Sequence, residues 1–313
     1  MSRLRILFVG AAVLALAAGP AAPLSLGRMY VAQCFSNRVF ILAPPFSPRR
    51  LPVGAVAQAC TNALAFDPSN GMMAVASGAV FGKLSISVYS PPFTSASVPA
   101  VTFAPPKLQH PRQLAWDGAG NLWVSDDLSN RVYEFRPPFS ASSKPAAAIT
   151  IAMQPIGLAV DSAIRLMFIG DAGGTRTCAA APCRIYVIPY PYTSAPMATI
   201  PLEKSVSTAL AVDRRGRLFA GIGYGKFKGS IRVYAPPFAT GQKPAFTLDA
   251  GDGVVALAFD PAQNLYAQLF STGGVVRFNG PIAGPMKAPT MRLGCPNAAP
   301  CRNKNWAGLA FGP

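Results

Sequence analysis

The chain has 313 residues, 51% of them hydrophobic, with 28 Lys and Arg against 12 Asp and Glu and a formal net charge of +16. One His, only Glu134 and Glu203 as glutamates, and no C-x-x-C, HExxH or Walker-type loop exclude the familiar zinc, metalloprotease and nucleotide-hydrolase signatures. The positive balance points toward acidic partners such as anionic cell-surface polymers, phospholipid head groups or nucleic acid. The bases are scattered along the chain and not gathered in one arm, a pattern that solubility alone also explains.

The first element is a processing segment. Arg3 and Arg5 precede an apolar run from Ile6 to Ala18, the layout of a signal peptide. Gly19 and Pro20 interrupt the run, which falls short of the roughly 20 apolar residues of a spanning helix. Ala15-Leu16-Ala17 offers a small-x-small site, so cleavage is expected near residue 17, with 1–23 as the signal segment and 24–313 as the mature domain. Loss of Arg3 and Arg5 leaves a mature charge of +14. Export to the periplasm or the cell exterior follows, with no transmembrane span after processing. An uncleaved anchor is the alternative.

Arg28 to Gln33 then reads as a strand, and beyond it the chain becomes periodic. The phrase Leu-Ala-apolar-Asp recurs at Leu64–Asp67, Leu114–Asp117, Leu158–Asp161, Leu210–Asp213 and Leu257–Asp260, with a frayed copy at Leu309–Gly312. The Asp residues are 50, 44, 52 and 47 positions apart, the spacing of a repeat architecture. A second phrase keeps step: Pro44-Pro45-Phe46, Pro91-Pro92-Phe93, Pro137-Pro138-Phe139, Pro191-Tyr192 and Pro236-Pro237-Phe238. Each unit reads as four short strands. In the third these are Gln113–Trp116, Leu122–Ser125, Arg131–Phe135 and Ala146–Ile151, bounded by turn-forming Asp, Gly and Pro. The expected fold is all-β: a six-bladed β-propeller of four-stranded antiparallel blades. Its ring closes when a strand over Trp306–Phe311 joins the one over Arg28–Gln33, leaving no exposed edge.

Cysteines follow the same loops. Cys178 and Cys183 flank four small residues, as Cys295 and Cys301 flank five, which suits tight disulfide-closed loops in an oxidising compartment. Cys34 and Cys60 are then left for each other, although six cysteines allow fifteen pairings.

Asn121-Leu-Trp-Val-Ser-Asp126, the Ser129-Asn-Arg-Val132 that follows it, and Gly157-Leu-Ala-Val-Asp161 resemble the NHL-repeat pattern of six-bladed propellers. The resemblance spans nearly the whole mature chain, but only the third unit carries most of the pattern at once. Similar propellers include gluconolactonase-type hydrolases, strictosidine-synthase-like enzymes, a streptogramin-type lyase and many non-enzymatic binding proteins, so the resemblance implies a fold more firmly than an activity. The lactonase pattern would bring a metal held by Glu, Asn and Asp. Neither Glu134 nor Glu203 stands at the first-blade position where that pattern has its Glu.

A repeat separates scaffold from site, because six blades share packing needs but not one ligand. Recurring residues (the five Asp, the bases Arg38, Lys83, Arg131 and Arg184, the Phe of each Pro-Pro-Phe) read as turn-formers, scaffold and inter-blade wedges. Departures on one face are the candidate ligand-binding residues: His110, Arg112, Asp126 and Asp127 in unit three, Gln154 and Asp171 in unit four, Asp252, Asn62, and Asn305 with Trp306. Such a funnel suits a polar small molecule or a peptide end. His110 is the sole imidazole for base chemistry and would need an orienting partner, for which Asp126 is the candidate.

The sequence therefore predicts an exported, monomeric, non-catalytic binding or scaffolding propeller with no cofactor and no metal. Its ligand is an unidentified protein, carbohydrate or small molecule. Two alternatives stand beside it: a lactonase-like hydrolase or lyase using His110, Asp126, Asp171 and Asp252 at the central channel, and a basic surface that binds an anionic polymer.

Overall fold

The computed structural model describes residues 27–33, 36–78, 84–173, 178, 182–193, 195–226, 228–293 and 308–313. The expected signal segment, Asn305, Trp306, Cys34, Cys295 and Cys301 lie outside them. The described residues form strands and turns only, arranged in six four-stranded antiparallel sheets. No helix among them is long and apolar enough to cross a membrane.

Blade 1 contains β1 (Arg28–Gln33), β2 (Arg38–Leu42) and β3 (Gly54–Ala57). Blade 2 is β4 (Thr61–Phe66), β5 (Met73–Ser77), β6 (Ser85–Tyr89) and β7 (Val101–Phe103). Blade 3 is β8 (Pro111–Trp116), β9 (Leu122–Asp126), β10 (Arg131–Phe135) and β11 (Ala147–Thr150). Blade 4 is β12 (Pro155–Asp161), β13 (Leu166–Asp171), β14 (Arg184–Pro189) and β15 (Ala198–Pro201). Blade 5 is β16 (Ser205–Val212), β17 (Leu218–Gly225), β18 (Ser230–Tyr234) and β19 (Phe246–Asp249). Blade 6 is β20 (Val254–Phe259), β21 (Leu265–Leu269), β22 (Val275–Phe278) and β23 (Met291–Leu293). The last strand, β24 (Leu309–Gly312), completes blade 1 by pairing with β1, from Arg28 opposite Gly312 to Val31 opposite Leu309. The innermost strand of each blade contacts that of both neighbours, and β24 bridges β20 and β4, so the ring is closed. Among the described residues the closing strand is Leu309–Gly312; Trp306 lies outside them.

The recurring phrases explain the packing. The Leu of each Leu-Ala-apolar-Asp is buried between blades, while the Asp folds the a–b turn by accepting backbone N–H groups. Asp117 is the fullest case. It accepts from the amides of Ala119 and Asn121, the Asn121 side chain and the Trp123 indole, all at 2.9–3.0 Å. The residue after each Pro-Pro is indeed a wedge, and it points backward along the chain. Phe46 of blade 1 packs on Tyr266 of blade 6, Phe93 on Tyr30, Phe139 on Phe103, Tyr192 on Trp123, and Phe238 on Phe168. A sixth wedge, Ile282, fills the same place against blade 5. It follows a cis Gly280-Pro281 bond where the other blades have cis bonds to Pro45, Pro92, Pro138, Pro191 and Pro237. Gly and Ile hide this copy from a search for Pro-Pro-Phe.

Candidate functional site

Strand order fixes two faces. The b–c and d–a connections emerge on one face, here called upper, and the a–b and c–d connections on the other. Near the upper face the innermost strands carry a bulge that skips one residue in each of five blades: Asn62, Arg112, Ile156, Thr208 and Val255. An extra residue at this level bends the strand and redirects its side chains.

In blade 3 the structure brings His110, Arg112 and Asp127 together. His110 Nδ1 lies 2.5 Å from Asp127 Oδ1, and Arg112 Nε lies 3.5 Å from Asp127 Oδ2, all three residues being buried. Asp126 does not orient the imidazole. It is fully buried and accepts the backbone amides of Gln109, His110 and Ser129, because a carboxylate at the end of β9 faces the N–H groups of both the adjoining d–a loop and its own b–c loop. The neighbouring Asp127 takes the ring.

Of the other upper-face candidates, Asp171 is held within its own blade, whereas Asp252 joins blade 5 to blade 6. Asp171 accepts the Arg184 amide at 3.1 Å; burial pushes its carboxyl up to about 6, against hydrogen bonds from Arg184, Tyr186 and Gly173. Asp252 caps a turn by accepting the Gly253 and Ser271 amides and the Ser271 hydroxyl, with Lys228 3.3 Å away. Burial opposes its charge, but those hydrogen bonds together hold its carboxyl below the usual range. Asn62 is buried and its amide nitrogen has no hydrogen-bond partner among the described residues; the Gln154 side-chain oxygen is in the same position. Nearby, Cys178 and Cys183 form a disulfide with Cα atoms 5.3 Å apart, and Cys60 is also disulfide-bonded. No group of three or more His, Cys, Asp or Glu side chains placed to hold a metal occurs among the described residues.

Among the described residues, two clefts open on the lower face. One, of about 760 Å³, is ringed by a–b turns of several blades, including Ser162, Ile164, Arg214 and Gln263. The other, of about 570 Å³, lies between blades 3 and 4 and is lined by Asp117, Glu134, Arg136, Arg165, Tyr190 and Tyr192 among others. Here Glu134, buried on β10, grips Arg136 through two hydrogen bonds of 2.9 and 3.0 Å. The Arg165 guanidinium stands 4.3 Å from the Tyr190 ring centre, and burial beside Asp117 and Asp161 pushes the Tyr192 hydroxyl up to about 12. None of these residues was among the sequence candidates; Asp117 is a column residue, but Glu134, Arg136, Arg165 and Tyr190 depart from the repeat columns, the same signal that selected the upper-face set.

No family model matches the chain, and no curated protein matches it. Among solved structures, the hydrazine synthase of Kuenenia stuttgartiensis is similar at 13% identity and a TM-score of 0.42. The match covers 54% of this chain and 46% of that one, a likeness too slight to carry a functional argument.

Proposed function

We propose that the protein is an exported, non-catalytic, NHL-like propeller that binds an anionic polymer through its surface. The propeller fold supports a binding or scaffolding role in general. The observation that carries the finer reading is how the fold sorts charge. Of the twelve carboxylates, eight are buried: Asp67, Asp117, Asp126, Asp127, Asp171, Asp213, Asp260 and Glu134. Only Asp249 and Glu203 are exposed. Among the described Lys and Arg residues, by contrast, Arg112 and Arg232 alone are buried. Acids thus fold turns inside while bases face solvent, so the outward field is more one-sided than the composition implies.

The disulfides suggest an oxidising compartment, and the Ile6–Ala18 run supports export into one. The NHL-like assignment rests on Asn121–Asp126 and its partial copies in the other blades. The test is retention of the mature chain on immobilised polygalacturonate across a salt gradient. Retention at about 50 mM salt and release well below about 1 M is expected, since screening shortens the reach of charge from roughly 14 to 3 Å over that range. Free passage at low salt would overturn the reading.

A further inference from the structure

The repeat supplies a control for the lower-face cleft between blades 3 and 4. Aligned on the cis proline, the residue before it is Pro44, Pro91, Pro137 and Pro236 in four blades, Gly280 in blade 6 and Tyr190 in blade 4. Two residues before the cis proline, Ala43, Ser90, Pro189, Ala235 and Asn279 correspond to Arg136 in blade 3. Four before, Ile41, Val88, Val187 and Val233 are apolar, whereas blade 3 has Glu134 and blade 6 has Arg277. In the a–b turn the left-handed position is held by Gly71, Gly120 and Gly216, but by Arg165 at φ 56° in blade 4 and Gln263 at φ 64° in blade 6. Arg165 therefore accepts backbone strain that a glycine would avoid. Blade 6 departs in the same columns, but Glu134, Arg136, Arg165 and Tyr190, from two adjacent blades, line one cleft.

The chemistry of the cleft is specific. Glu134 fixes the Arg136 fork through Nε and one terminal nitrogen, leaving the remaining donors on a side chain that is 63% exposed. Arg165 makes no ion pair among the described residues; it rests on the Tyr190 ring instead. Two guanidinium groups with spare planar donors suit a carboxylate, and they flank a ring that is 55% exposed. An aromatic surface of this kind fits the C–H face of a pyranose.

Resting on the polyanion reading above, we propose that this cleft is the recognition subsite of that surface and takes an acidic saccharide. The sugar ring lies against Tyr190, and its carboxylate is bound by Arg165 and the outer edge of Arg136. Nucleic acid is the less suitable polyanion. Its single strands are bound on several successive aromatic platforms, whereas Tyr190 is the one large exposed aromatic among the described residues.

The test uses the mature chain with a galacturonate hexamer, a neutral cello-oligosaccharide of equal length and a single-stranded DNA of matched charge. The variants Arg165→Gly and Tyr190→Pro install what other blades already carry, so both are expected to fold, which their melting curves check. Arg50→Ala removes one exposed charge from the same face of a different blade. A roughly tenfold loss of hexamer affinity is expected in Arg165→Gly, as for loss of a charge-assisted contact, and in Tyr190→Pro, as for loss of an aromatic platform, against less than about twofold in Arg50→Ala, as for one screened surface charge. Equal losses in all three variants would sink the subsite while leaving a diffuse polyanion surface. DNA binding as tight as the hexamer, and equally weakened by Arg165→Gly, would overturn the saccharide class. Wild-type binding to neither acidic probe at low salt would overturn the polyanion reading itself.

Discussion

Tyr30 donates its hydroxyl to the backbone oxygen of Pro313 at 2.7 Å, a contact between residues 283 positions apart. Beside it, Ala32 donates its amide to Gly308 at 2.8 Å, so the two ends of the chain are held at both ends of the closing ladder. Blade 1 is thus complete only when the last residues dock.

Deleting residues 308–313 is expected to open the ring. The freed edge of β1 would then pair with other molecules, giving aggregation or a broad, non-cooperative melt. Tyr30→Phe, which removes only the hydroxyl, should cost about 1 kcal/mol. A monomeric truncation with an unchanged melting curve would show that β24 is not what closes the fold.

The a–b turns should differ in sensitivity. Asp117 gathers four donors, two of them side chains that would be left without it. Asp161 takes only the exposed amides of Ala163 and Ile164, which water can replace. Asp117→Ala is expected to cost about 3 kcal/mol and Asp161→Ala about 1, from the penalty of orphaning buried donors. Denaturant melts measure both, and a reversed order would refute the account.

Asp171 gives a pH signature of unusual sign. Its carboxyl titrates at about 6 in the fold, against an unperturbed value of 3.8, chiefly because burial disfavours the charge. Between those values the folded chain holds a proton that the unfolded chain has lost, so this residue's contribution falls as pH rises from about 4 to 6. The difference is on the order of 3 kcal/mol. Asp171→Asn should flatten that slope in unfolding free energy. Parallel pH profiles for wild type and variant would mean the carboxyl is not the cause.

The Cys178–Cys183 bridge closes a short loop, so Cys178→Ser should cost about 2 kcal/mol, the low end for such links. The expected Cys34–Cys60 pairing closes a much longer loop, and Cys60→Ser should cost about 3.5 kcal/mol on the same chain-entropy argument. Peptide mapping without reduction decides the partner of Cys60. Finding Cys295 or Cys301 there would replace the expected pairing.

The architecture was legible because a repeat writes the same physical demand several times: one Asp per a–b turn, one wedge per blade, one apolar strand against each neighbour. Where a copy changed its letters, as at Gly280-Pro281-Ile282, the pattern was lost although the geometry was kept. Loop order brings the described upper-face candidates to one face. Their bonds were not legible, because whether Asp126 or Asp127 meets His110 depends on a single step at the end of β9. The lower-face cleft was overlooked for a different reason. Its residues depart from columns that were read as scaffold, and two adjacent blades must be superposed before Glu134, Arg136, Arg165 and Tyr190 are seen together.

The backward-pointing wedges give the ring a direction. Each blade overlaps the one before it as slates overlap on a roof, so damage to a wedge is felt upstream. Phe238, carried by blade 5, covers Phe168 of blade 4. Removing its ring should therefore loosen amide protection along β13 before it disturbs the blade that carries it.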